Sequence, residues 1–132
     1  DVKRLGRSNG GGFYEYPGSG KKYLWPELKT YFPLSKKPLS QDEMIDRFCF
    51  IQCIETIRCF EEGVLNSVAD ANIGSIFGWG FAPFKGGTLQ FVNDYGLKEF
   101  VQRAKELKEN YGNRFSPPKL LLDMAVKEKI FN

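Results

Sequence analysis

The sequence predicts an all-α body of about five helices behind an irregular N-terminal arm. Three observations carry that expectation. Beyond residue 40, apolar residues recur at helical spacing in successive segments. Two of those segments open with a capping signature, "SQDE" at 40–43 and "SVAD" at 67–70. No period-two apolar run follows residue 40, whereas residues 1–39 are cut up by glycine and proline. The 132 residues suit one domain, divided here into an arm or linker, 1–39, and a helical body, 40–132.

In the arm, "GRSNGGGFYEYPGSGKKYLWPELKTYFPLSKKP", Gly and Pro break every candidate helix, although "GFYEY" suits a short extended stretch. Its rings, Phe13, Tyr14, Tyr16, Tyr23, Trp25, Tyr31 and Phe32, are too many for a free linker. They are expected to pack on the helical body or on a partner domain.

In the body, Ser40 is expected to accept the Glu43 amide while the Glu43 side chain reaches back. The helix then runs through "EMIDRFCFIQCIETIRCFEE" to Gly63, a residue suited to a left-handed cap. Phe48-Cys49-Phe50-Ile51 is apolar on nearly every face, which predicts a central helix buried on most sides. Ser67 and Asp70 open a short helix with Ala69, Ile73 and Ile76 inward and a stop at Gly78. "LQFVND" gives another. "GLKEFVQRAKELKENYG" places Leu97, Phe100, Val101, Ala104, Leu107 and Tyr111 on one stripe. Ser116 and Pro117 are expected to open the last helix, with Leu120, Leu121, Met124 and Ala125 as its apolar face.

Bulk properties exclude several functions. The net charge is +3, and Lys21-Lys22 and Lys36-Lys37 are pairs rather than runs. A solvated surface explains them, and no nucleic-acid partner is implied. Cys49, Cys53 and Cys59 fall in one predicted helix, where a disulfide is awkward. With no His in the chain, a zinc site would need further thiolates or carboxylates. Buried free thiols in a reducing interior are the expectation. No apolar run is long enough for a membrane span, and no signal peptide is visible. The chain opens on Asp1 and is read as a piece of a longer or processed protein. Its "KEKIFN" ending lacks a peroxisomal Ser-Lys-Leu tail, so a bacterial cytoplasm is the simplest compartment, with peroxisome and mitochondrion as alternatives.

Nucleotide loops fail on their own residues. "NGGGFYE" has Glu15 where a dinucleotide fingerprint needs its third glycine. "GSGKK" has Glu15 at the first-glycine position of a P-loop and Lys22 where Ser or Thr should hold magnesium. The absence of His removes the commonest neutral-pH proton shuttle. The carboxylates Asp42, Glu43, Asp46, Glu55, Glu61, Glu62, Asp70 and Asp94 mostly sit at helix starts or on charged faces. Glu55 and Arg58, three apart, are expected to pair with each other or with a loop carbonyl.

The run "FIQCIETIRCFEEGVLNSVADANIGSIFGWGFAPFKGGTLQFVNDYG" resembles the C-terminal helical domain of 3-hydroxyacyl-CoA dehydrogenases. More narrowly, it is similar to the second such repeat of multifunctional fatty-acid β-oxidation proteins. "LGRSNGGGFYEYP" resembles the segment closing the preceding repeat. The motifs that carry the resemblance are E-x-x-R-C-x-E-E-G, A-D-x-x-I-G-S-I-F-G-x-G-F-x-P-F-x-G-G and N-G-x-G-F-Y-x-Y. The resemblance implies a 6-phosphogluconate dehydrogenase C-terminal-domain-like fold. It also implies a parent that oxidises 3-hydroxyacyl-CoA to 3-ketoacyl-CoA with NAD. In that family a Rossmann domain carries NAD and a catalytic His–Glu pair, and multifunctional members add an enoyl-CoA hydratase domain upstream. The implied partners are an upstream Rossmann domain, a first helical repeat, the parent's acyl-CoA substrate and a homodimer or pseudo-dimer mate.

This chain departs from the family pattern. It has no Rossmann segment and no His for the general base. The family's first repeat has an Asn before the Arg at the start of the long helix, near the substrate; Asp46 stands there, followed by Arg47. A carboxylate is a poorer donor to a substrate oxygen than an amide. No catalytic residue, cofactor-binding residue or metal ligand is therefore assigned, Asp46 being the one position of interest.

Redox turnover needs a bound nicotinamide and a base within about 3 Å of the hydroxyl proton. Gly74–Phe91 supplies neither and is read as a packing hinge. Gly78 ends a helix, Gly80 bends the link and Pro83 starts the next turn. Gly86 and Gly87 admit a neighbouring backbone, while Phe77, Trp79, Phe81 and Phe84 fill the corner. The expected function is a scaffold of the dehydrogenase, inactive alone. The alternatives are an autonomous helical dimerisation module, and direct CoA binding through Lys and Arg.

Overall fold

The computed structural model describes residues 2–36 and 38–132. Asp1 and Lys37, the second half of the Lys36-Lys37 pair, lie outside the described residues. The chain forms two compact units, Asp1–Leu39 and Ser40–Asn132.

The first unit is a small hairpin built around Arg4. Strands β1 (Tyr14–Glu15) and β2 (Tyr23–Leu24) pair antiparallel, Tyr14 opposite Leu24 and Glu15 opposite Tyr23. Arg4 Nε donates to the Gly12 carbonyl at 3.0 Å, and Nη2 donates to Glu15 at 2.8 Å. Its guanidinium lies 4.4 Å from the Trp25 ring centroid. The N-G-G-G motif is steric here: a Cβ on Gly11 would stand 2.5 Å from the Arg4 guanidinium. The extended stretch expected at "GFYEY" is β1. A helix nevertheless forms in the arm, the single turn α1 (Leu28–Tyr31). It fits between Pro26 and Pro33, which leave room for one turn only. Arm rings pair with each other, Trp25 stacked on Tyr31 at 5.3 Å and Phe13 edge-on to Phe32 at 5.6 Å.

The second unit is all-α. Its helices are α2 (Gln41–Glu61), α3 (Val68–Trp79), α4 (Thr88–Tyr95), α5 (Leu97–Tyr111) and α6 (Lys119–Val126). The Glu43 amide donates to Ser40 Oγ at 3.1 Å and starts α2. Gly63, at φ +73°, ends it. The Gly63 and Val64 amides donate to the carbonyls of Phe60 and Cys59, the paired bonds of a Schellman ending.

Phe50, Cys53, Ile54 and Ile57 form the buried stripe of α2, which packs against α4 and α6. Phe50 stacks on Phe100 of α5 at 4.0 Å, with Tyr95 edge-on at 5.1 Å. The long helix is thus buried along one stripe, not on most sides: Phe48 is 70% exposed, and Met44 and Ile45 are exposed with it.

Two helix boundaries differ from expectation. α3 runs through Gly78 to Trp79 and ends on Gly80, in the left-handed conformation. Without strain at Gly78 the helix has no reason to stop there, whereas φ +78° at Gly80 does stop it. α6 begins at Lys119, not at Ser116–Pro117. Each residue before a proline is pushed to extended backbone, so the Ser116-Pro117-Pro118 run stays extended until Pro118 caps the helix.

Candidate functional site

The glycine-rich corner between α3 and α4 is a helix cap assembled across elements. Asn72 Oδ1 accepts from the amides of Leu89 (2.9 Å) and Gln90 (3.1 Å). Ser75 Oγ accepts from the Thr88 amide at 3.2 Å and donates to the Asn72 carbonyl at 2.8 Å. The first three amides of α4, free in an uncapped helix, are therefore all taken by α3. Cys53 Sγ donates to the Thr88 carbonyl at 3.3 Å and ties in α2.

This geometry explains why the inward face of α3 is small. Ala71 and Ser75 are buried, Ala69 and Ile73 are exposed and Ile76 is half-buried, so two of the three residues of the expected Ala69/Ile73/Ile76 face point outward. A close helix approach needs small residues, and the polar pair sets the phase. Pro83–Lys85 forms a 3-10 turn, as the proline suggested.

The rings do not fill the corner together. Phe81 is buried, but Phe77 is 86% and Phe84 84% exposed, and Trp79 is exposed as well. Trp79 Nε1 donates to Gln52 on α2 at 2.8 Å, which lays the indole along the rim of a trough. That trough, about 480 Å³, is lined by Gln52, Glu55, Thr56, Cys59, Val64, Leu65 and Trp79.

A second polar assembly joins α2 to α5. Arg103 donates from Nε to Asp46 (2.8 Å), from Nη2 to Glu43 (2.5 Å) and from Nη1 to Glu106 (3.2 Å). The hydrogen bond from Arg103 outweighs partial burial and holds the Glu43 carboxyl below its ordinary 4.5. Glu43 is thus committed to Arg103 and does not reach back to its own helix start. Asp46 is an acceptor in the same clasp, and Arg47 lies 4.1 Å over the Tyr111 ring.

Three of the other carboxylates have structural partners. Glu55 pairs with Arg58 at 2.9 Å, and Arg58 also donates to the carbonyls of Arg114 and Ser116, so both expected partners are present. Glu61 accepts from the Leu120 amide at 2.6 Å and caps α6, and Asp94 accepts from Gln90 at 2.8 Å. Asp42 and Asp70 sit in the first turns of α2 and α3, and Glu62 is the C-cap of α2.

The three cysteines are free; Cys53 is buried, while Cys49 and Cys59 are only half-buried. Burial pushes the Cys53 thiol well above its ordinary 9.0. Among the described residues no group of three His, Cys, Asp or Glu is placed to hold a metal. The amides at the start of α4 are occupied by Asn72 and Ser75, and in the arm a Cβ on Gly11 would meet the Arg4 side chain.

Asn72, Ser75, Arg103 and the Glu61 cap were missed from sequence. For the first two a signal exists. They are small polar residues three apart inside "NIGSIFGW", ahead of Gly86-Gly87. Arg103 carries no such mark, because it sits in a charge-rich helix.

No family model matches this sequence. Several curated relatives of one name match it. The "Fatty acid oxidation complex subunit alpha" of Shewanella loihica is 40% identical over 125 residues, 92% of this chain. Those of Vibrio vulnificus and Pseudomonas savastanoi pv. phaseolicola are each 36% identical, over 97% and 99% of it. This chain is homologous to part of those alpha subunits. It spans 18–19% of the length of these relatives. The alpha-subunit homology runs through both units, the hairpin and the helical body. Among the described residues no helix is long and apolar enough to cross a membrane.

Proposed function

We propose that this chain is the second-repeat C-terminal helical domain of an NAD-dependent 3-hydroxyacyl-CoA dehydrogenase of fatty-acid β-oxidation. The parent oxidises 3-hydroxyacyl-CoA to 3-ketoacyl-CoA in a bacterial cytoplasm. This domain serves as the scaffold against which the parent's Rossmann domain and first helical repeat pack, and it has no turnover of its own. The observation that carries the reading is homology to fatty acid oxidation complex alpha subunits along nearly the whole chain. The chain's own residues support the scaffold role. It has no His to act as base, Asp46 is tied to Arg103, and the amides at the start of α4 are consumed by Asn72 and Ser75. NAD belongs to the parent, not to these helices.

The test uses acetoacetyl-CoA and NADH. The isolated chain should leave NADH absorbance unchanged, and the full-length protein should consume it. Turnover by the isolated chain would refute the scaffold reading.

The exposed Phe48, Phe77 and Phe84 favour a second reading, an autonomous dimerisation module. Light scattering separates the two: a monomer that joins only the upstream part of the parent supports the scaffold, and a tight homodimer indifferent to it supports the module.

A further inference from the structure

Charge is divided unevenly between the two units. Residues 1–39 hold eight Lys or Arg against three Asp or Glu, net +5; residues 40–132 hold eleven against thirteen, net −2. Within the arm, the hairpin sorts its cations by face, because side chains alternate along a strand. On the Glu15 face Arg4 has a carboxylate, a carbonyl and the Trp25 ring. On the opposite face, cations meet rings, and no carboxylate pairs with them among the described residues. Lys22 Nζ lies 4.7 Å from the Tyr14 ring centroid, and Arg7 Cζ lies 5.8 Å from that of Tyr16. Neither cation has an ion-pair partner among the described residues. Arg7, Tyr16, Pro17, Gly20 and Lys22 line a cavity of about 380 Å³ with no acid in its wall. Gly20, at φ +102°, leaves its part of the rim bare: nothing stands within 4 Å of where a Cβ would be.

We propose that this arm cavity binds the phosphorylated nucleotide head of a coenzyme, with Arg7 and Lys22 on phosphate oxygens and Tyr16 against the flat base. Unpaired cations call for an anion, and Arg suits phosphate through its planar fork. A small anion alone would use neither the ring nor a cavity of this size. A nucleic-acid strand needs a longer basic stripe than two cations supply. The choice of a coenzyme rests on the acyl-CoA reading above; the phosphate chemistry stands without it.

The test titrates the full chain by calorimetry with adenosine 3′,5′-bisphosphate, ADP and inorganic phosphate, at about 50 mM and about 300 mM salt. The nucleotides should bind more tightly than phosphate, and binding should weaken with salt. Arg7→Gln and Lys22→Gln should each weaken nucleotide binding roughly fivefold or more. Tyr16→Leu should remove the preference for nucleotide over phosphate. Trp25 fluorescence, reporting on the opposite face, should be unchanged in all three variants. No binding of any probe, or unchanged binding in the doubly substituted chain, would overturn the proposal. So would capture by anionic phosphatidylglycerol vesicles without nucleotide binding. A full-length parent that turns over normally while the arm ignores nucleotides defeats this inference alone. A parent without dehydrogenase turnover defeats the function proposed above.

Discussion

Gly87 lies against Asn72 with no room for a side chain: a Cβ there would stand 2.5 Å from the Asn72 Cα. The same Asn72 supplies the oxygen that caps α4, so one contact sets both the spacing and the start of the next helix. Gly87 also has φ +106°, a conformation that side chains resist. Gly87→Ala should therefore cost more than about 2 kcal/mol in urea unfolding, through strain and clash together. Asn72→Ala should cost about 1–2 kcal/mol, the usual loss for an emptied cap, and Asn72→Asp should keep most of it.

The Arg103 clasp predicts a pH dependence. The folded-state pKa of Glu43 is depressed, so its contribution is present above the ordinary 4.5 and is lost as pH falls through the folded value. Chemical denaturation of the wild-type chain should show this loss in the acid range below about pH 4.5. In Arg103→Met the curve should be lower at pH 7 and flatter in that acid range. Parallel curves for the two proteins would rule out the clasp as the source.

Thiol labelling should rank the cysteines by access and by thiolate. Cys53, buried and pushed well up by burial, should react only after unfolding. Cys59, on the apolar trough, should react in the native chain ahead of Cys49, whose thiol burial also raises. Mass spectrometry of peptides after brief iodoacetamide treatment reads the order.

The last residues are expected to be structural. Asn93 and Phe131 exchange two hydrogen bonds, at 2.8 Å and 3.0 Å, and the buried Phe131 ring meets Phe60 edge-on. Phe131→Ala should lower stability by about 3 kcal/mol, as for other buried aromatic truncations. A melting temperature unchanged from wild type would contradict this.

Phe77→Glu and Phe84→Glu separate folding from assembly. Both rings are exposed, so stability should stay within about 0.5 kcal/mol. Association with the upstream part of the parent, read by light scattering, should be weakened. Intact association in the double variant would place the contact elsewhere.

Periodicity made much of this fold legible. The stripe of α5 was read residue by residue because charged and apolar positions alternate cleanly around it. The caps at Ser40 and Ser67 were read because they act within one turn. The candidate site was harder. Ala69 and Ile73 are more apolar than Asn72 and Ser75, yet the polar pair faces inward, because α4 presents amides there and an amide left unpaired costs more than an exposed isoleucine. The aromatic corner was misread for a similar reason: four rings in a row of glycines suggest a cluster, but the phase of α3 leaves Phe77 outward, and Phe84 stands exposed on the 3-10 turn.

Local order along the chain, then, was enough to specify most of the helices, their serine caps, the absence of His and the kinship with fatty acid oxidation proteins. Those properties depend on residue type and on neighbours within a turn. Which face of α3 turns inward, which carboxylates Arg103 gathers and which rings stay bare were decided only when α2, α4 and α5 met. Asn72 and Leu89, and Arg103 with Glu43 and Asp46, are separated in the sequence by more than a dozen residues, and only packing brings them within hydrogen-bond reach.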